Sequence, residues 1–169
     1  MNILKLKEVE DLKVELEKIK EINNVIYGEN VVPVLKDKAV ELLLKIDQYF
    51  QDIGFATKIK SNKLTATYNT LTFTAEIREQ QFGGNIISIM KGDEEIDTIR
   101  VVIKTTGNGG FFAIPEDKVE AEIVKLKKDI GHAKSITKNY ENPVYHYGRS
   151  NNNQISYTDI DSLLKDVFQ

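Results

Sequence analysis

The amino-acid sequence predicts an α+β fold: an antiparallel β-meander of about five or six strands flanked by an N-terminal αα-hairpin, a long third helix and a short C-terminal helix. Two observations carry this expectation. Apolar residues recur every three or four positions at both ends of the chain, as on one face of a helix. Between the ends, over residues 55–103, they recur every second residue, as on one face of a strand.

The first helix is expected over about 6–27. Val9, Leu12, Leu16, Ile19 and Ile26 form a heptad-like stripe in which Asn23 fills the one polar position. Asn23 there suits either a register-setting core residue or a rim position in a fraying last turn. Gly28 offers a left-handed C-cap, residues 29–32 a turn, and Pro33 the first turn of a second helix, where its missing N–H costs nothing. Leu35, Ala39, Leu42, Ile46, Tyr49 and Ile53 make the second stripe, widened by Leu43 and Phe50. Two matched helices of about 30 Å joined by a short turn read as a hairpin that Gly54 ends.

The period then changes to two. Phe55, Thr57 and Ile59 alternate with Ala56, Lys58 and Lys60, and Ser61-Asn62 is a turn candidate. Leu64, Ala66 and Tyr68 share one face of the next run, and Leu71, Phe73, Ala75 and Ile77 one face of the run after it. The phase shifts from even to odd numbers across Asn69-Thr70, so a turn or bulge is required there. Thr65, Thr67, Thr72 and Thr74 line the opposite side. An apolar face backed by a polar, β-branched one fits a sheet with helices on one side and water on the other. Residues 80–85 form a loop around Gly83-Gly84, followed by strands at 86–90 and about 95–105. The stretch 105–110 is expected as a flexible hairpin loop, with a short last strand at 111–114.

Pro115, Glu116 and Asp117 open the third helix. Its stripe is Val119, Ile123, Leu126, Ile130, Ala133 and Tyr140, interrupted by Thr137, and Gly131 marks a bend or a close approach. A polar, turn-rich segment follows. Thr158 with Asp161 three residues on resembles a capping box for the last helix, whose apolar side is Ile160, Leu163, Leu164, Val167 and Phe168.

The 169 residues fit one domain, 1–169, with a hairpin at 1–53, a sheet at 54–114 and a helix, loop and terminal helix at 115–169. A net charge of −3 argues against a protein that coats a phosphate backbone, so nucleic acid is not the expected partner. The absence of cysteine excludes disulfides and thiolate chemistry. No apolar run approaches the ~20 residues that span a bilayer, so neither a membrane role nor a signal peptide is expected and the location is read as cytoplasmic.

Chemistry has few candidates. Gly107, Asn108, Gly109 and Gly110 could cradle a phosphate, but no helix or Walker lysine follows them. Tyr145, His146, Tyr147 and Arg149 form the densest group able to stack, move a proton or clamp an anion. The blander alternative packs Tyr145 and Tyr147 in a short strand with His146 facing outward. An enzyme built on this cluster needs a partner carboxylate. The carboxylates Glu94, Glu95 and Asp97 read as solvation near a turn, and His132 as a surface residue. No metal-ligand motif and no cofactor site is recognised.

A well-specified scaffold without a catalytic signature points to a small intracellular protein-binding module with no catalytic activity of its own. It would act as an inhibitor or adaptor on a protein partner, a role that suits a phage or mobile-element protein. One alternative is a small-molecule or nucleotide-binding domain, enzymatic or not, using 107–110 with His146 and Arg149. The other is an oligomeric structural component whose helix stripes continue across a self-interface.

Overall fold

Apolar stripes separated by a hundred residues find each other in this protein. The computed structural model describes residues 2–107, 110 and 113–169. The chain divides into two compact units, each built from two stretches: Met1–Val31 with Lys104–Val144, and Val32–Ile103 with Tyr145–Gln169.

The first unit is a parallel two-helix coil of α1 (Ile3–Ile26) and α3 (Lys118–Glu141). Asn2 caps α1 by accepting from the Lys5 N–H, and Asp117 caps α3 by accepting from Val119 and Glu120. Asp117 is therefore the cap itself rather than a first-turn residue. Val9, Leu12 and Leu16 pack against Val119, Ile123 and Leu126. The register is a constant offset. Asn23 and Thr137 are 114 positions apart and hydrogen-bonded. The same offset sets Val9 opposite Ile123, Leu12 opposite Leu126 and Leu16 opposite Ile130. In a parallel coil the residue before one core position pairs with a residue five further along its partner. Glu8 with Lys127 at 2.7 Å and Glu15 with Lys134 at 2.8 Å, each 119 apart, satisfy that rule. So does Lys13 with Glu122 at 3.1 Å. Such exposed pairs add a few tenths of a kcal/mol each; their use is to select this alignment.

Asn23 is thus the register-setting residue and not a frayed rim position. It is buried, donates to the Ala133 carbonyl at 3.0 Å, and accepts from the Thr137 hydroxyl. Tyr27 packs on Tyr140 beyond it, ring centroids 5.2 Å apart.

The expected αα-hairpin does not form. Instead of turning at 29–32, the helix passes through a π-helical turn at Tyr27–Val31 into α2 (Val32–Asp52). The cause is Pro33, which cannot donate to the carbonyl four residues back and crowds it; widening the turn relieves both problems. Gly28 accordingly does not take the left-handed conformation expected of a cap. The stripe of α1 lies on α3 instead.

The second unit is a sheet with α2 and α4 (Ile160–Phe168) on one face. Gly54 ends α2 at φ +91°, and the Phe55 N–H bonds back to Phe50. Among the described residues seven strands follow in sequence order, all antiparallel. They are β1 (Ala56–Lys60), β2 (Lys63–Tyr68), β3 (Leu71–Glu79), β4 (Asn85–Lys91), β5 (Glu94–Ile103), β6 (Tyr145–Arg149) and β7 (Ser156–Tyr157). The phase shift is repaired by a tight turn with Asn69 at φ +52°. A 3-10 turn at Gln81–Gly83 leads into β4; Gly83, at φ +75°, lies against Val32, where a Cβ would stand 2.7 Å from a methyl group.

On the covered face Leu64, Ala66, Ala75, Ile87, Ile89, Ile99 and Val101 meet Leu35, Leu42, Ile46 and Phe50 of α2, all buried. Phe50 touches the rings of Phe55, Phe73 and Phe168, so the apolar C-terminal helix docks on α2. Its cap is Asp159, which accepts from the Ser162 N–H at 2.8 Å, one residue after the Thr158 expected.

The count exceeds the expected five or six because β6 and β7 join from a segment read as irregular. β6 takes the place beside β5, so the chain after β5 leaves the sheet. Lys104 donates to Val144, and Thr106 accepts from Ser135 on α3. The strand expected at 111–114 is not formed at Ala113 or Ile114; Phe111 and Phe112 lie outside the described residues. Gly131 is not a point of close approach, since a Cβ there would meet nothing within 4 Å among the described residues.

Asn23→Ala should destabilise the protein by about 1–3 kcal/mol, because the Ala133 carbonyl loses the Asn23 donor and the Thr137 hydroxyl keeps only that carbonyl as its acceptor. Asn23→Val with Thr137→Val should recover most of that loss, since both partners become apolar. Chemical denaturation of the three proteins checks this; a double variant no more stable than Asn23→Ala would contradict it.

Candidate interaction surface on the sheet

A strand of β6 length puts residues of odd and even number on opposite faces. Tyr145, Tyr147 and Arg149 pair with Ile103, Val101 and Ile99 and lie on the α2 side; His146 and Gly148 pair with Val102 and Arg100 and lie on the outer side. His146 and Arg149, singled out together from the sequence, therefore point away from each other. Tyr147 is buried, and burial raises its phenol above the ordinary value, partly offset by Lys38. Tyr145 and His146 are half-buried. Gly107 and Gly110 are exposed and outside regular structure; Asn108 and Gly109 lie outside the described residues.

Arg149 is already paired with two carboxylates of the chain. Its Nε donates to Asp97 Oδ2 at 2.6 Å, and its Nη1 donates to the Asp166 carbonyl at 2.8 Å and to the Asp166 carboxylate. The Asp97 side chain is 1% exposed and that of Arg149 12%. Tyr157 donates to the same Asp166 carboxylate, and the Asp97 Oδ1 accepts from the Thr98 N–H at 2.8 Å. Burial works against the Arg149 charge, but hydrogen bonds to Asp97 and Tyr157 hold its pKa above the ordinary value. Asp97 is the carboxylate partner the sequence could not place, and the pair joins α4 to the sheet.

A β-bulge brings Asp97 there. The β4–β5 register pairs Ile89 with Asp97 but Met90 with Glu95, leaving Ile96 as the extra residue. Without it Glu95 and Asp97 would share a face. With it Asp97 turns to the core and Glu95 to the outer face.

The outer face has no helix of its own unit over it. Its centre is Ile86, Met90 and Val102, all half-buried, around Ser88, which is fully buried. Ser88 donates to Glu95 at 2.5 Å and Thr98 donates to Glu95 at 3.2 Å; these bonds and the nearby Arg78 hold the Glu95 carboxyl below its usual range. Arg78 lies 3.6 Å from Glu76 and 3.9 Å from Glu95. Thr65, Thr67, Thr72 and Thr74 extend the face toward β1. One cross-strand row runs Arg78, Ile86, Arg100, Gly148, Ser156.

Among the described residues no three Cys, His, Asp or Glu side chains gather so as to hold a metal ion, and no helix is long and apolar enough to cross a membrane. Comparison with protein-family models, with curated proteins and with solved structures finds no match to this chain.

Asp97→Ala should cost up to about 3 kcal/mol by leaving the largely buried Arg149 with only the exposed Asp166 as its charge partner, whereas Asp97→Leu with Arg149→Met should cost clearly less. Equal losses in the two proteins would contradict the strut. Asp166 gives a pH test. Its carboxyl is lowered by the Tyr157 hydrogen bond and then by Arg149, so its contribution is complete above the unfolded value near 4 and lost as pH falls through the lower folded value. Hydrogen exchange of α4 should then accelerate below about pH 4 before that of β4; simultaneous acceleration would exclude a local release.

Proposed function

We propose that the protein is a non-catalytic binding module, an inhibitor or adaptor, whose working surface is the outer face of the sheet. The observation that carries this reading is the composition of that face: a half-buried apolar strip of Ile86, Met90 and Val102, bounded by Arg78, Arg100, Glu76, Glu95 and a field of threonines. An apolar centre with a polar, arginine-bearing rim is the anatomy of a protein–protein contact. The sheet beneath it is covered on its other side by α2 and tied across β5 and β6 by the Asp97–Arg149 pair, so the surface is presented on supported strands. Interfaces of this kind concentrate their energy in a few central residues, and Met90 stands in that position.

The test is affinity capture with the full chain immobilised, wild type beside Met90→Asp, after circular dichroism has confirmed that both are folded. A protein retained by the wild type should be lost by Met90→Asp. A partner held equally by both would move the working surface elsewhere.

A further inference from the structure

The proposed face carries a charge asymmetry that identifies the chemistry of its occupant. Lys58, Lys60, Lys63, Arg78 and Arg100 project from it, all exposed, against the two carboxylates Glu76 and Glu95. That is a local surplus of three positive charges on a chain whose net charge is −3. The two carboxylates are also committed: Glu95 to Ser88 and Thr98, and both to Arg78. Arg100 is different. Its guanidinium makes no hydrogen bond or ion pair among the described residues, and its cross-strand neighbour on β6 is Gly148. A Cβ at Gly148 would meet nothing within 4 Å among the described residues. A glycine inside a strand marks a place where another group can come close, and here it leaves a notch beside a guanidinium shaped to receive a carboxylate on two N–H groups.

We infer that the outer face of the sheet binds an acidic polypeptide segment, with a carboxylate seated at Gly148 against Arg100 and further acidic side chains reaching Arg78 and the lysines of β1 and β2. This rests on the reading of that face as the working surface. Arg78 and Arg100 flank Ile86 across two strand spacings, roughly 10 Å apart, so discrete carboxylates on one extended or helical segment can reach both. A nucleic acid fits less well. The described outer-face positions of the strands carry no Phe, Tyr or Trp on which bases could stack, and Glu76 and Glu95 interrupt the path a continuous phosphate backbone would take.

The experiment is fluorescence anisotropy on the full chain with two labelled probes of equal length, a poly-glutamate peptide and an oligothymidylate, across a salt series. Three variants are compared: Arg100→Glu, Arg78→Glu, and Lys18→Glu on α1, which changes net charge equally at a site outside the sheet. The peptide should bind in a salt-sensitive manner, with affinity reduced about tenfold or more by Arg100→Glu and less by Arg78→Glu. Lys18→Glu should bind as wild type does. No peptide binding, equal losses in Arg100→Glu and Lys18→Glu, or tighter oligothymidylate binding that Arg100→Glu abolishes would each overturn the inference. Failure here is separable from failure of the broader reading: a captured partner lost by Met90→Asp but kept by Arg100→Glu leaves the working surface in place and removes only the acidic occupant.

Discussion

The pairing of α1 with α3 is the constraint on which the rest of the architecture depends. Two parallel helices cannot be joined by a short turn. The chain must return the full length of the first helix, about 36 Å for 24 residues, before the second can begin beside it. Thr106 accepts from Ser135 toward the C-terminal end of α3, and Asp117 caps its N-terminus. The Asn23–Thr137 pair then fixes which of several heptad alignments is used, at the cost of two polar groups in an apolar seam.

Spending the stripes of α1 and α3 on each other leaves α2 and α4 as the helices of the sheet unit. Both lie on one side, where the aromatic contacts of Phe50 and the Asp97–Arg149–Asp166 network secure them. The opposite face carries the threonines, two arginines and the central apolar strip, with no helix of its own unit over it. Function in this reading follows from an imbalance of layers: a sheet long enough for two covers has one of its own.

Much of this was legible in the sequence, and the failures have identifiable causes. The helical and strand periods located α1, α2, α3, β1 to β5 and α4, because those patterns report burial on one face. They do not name the partner that does the burying, which is why α1 was matched with its neighbour instead of with α3. A sharper clue was available: each stripe has one polar interruption, Asn23 and Thr137, and these meet in the seam. For Tyr145–Arg149 the blander alternative, a short strand with Tyr145 and Tyr147 packed and His146 turned outward, matches β6, and strand parity separates His146 from Arg149. Asp97 could not be placed, because a bulge leaves no mark in a pattern of alternation except a local phase error. Glu95-Ile96-Asp97 carries no glycine or proline to signal it.

The chain contains no cysteine, so a pair of introduced thiols reports the seam without background. Leu12→Cys with Leu126→Cys places them on facing positions of the coil, within the span a disulfide can bridge. Mild oxidation of the full-length double variant should close an intramolecular disulfide nearly completely. Leu12→Cys with Val119→Cys, one heptad out of register and about 10 Å away along the helix, should remain reduced. A disulfide in the second protein and not the first, or bonds formed only between molecules, would contradict the parallel pairing of α1 with α3.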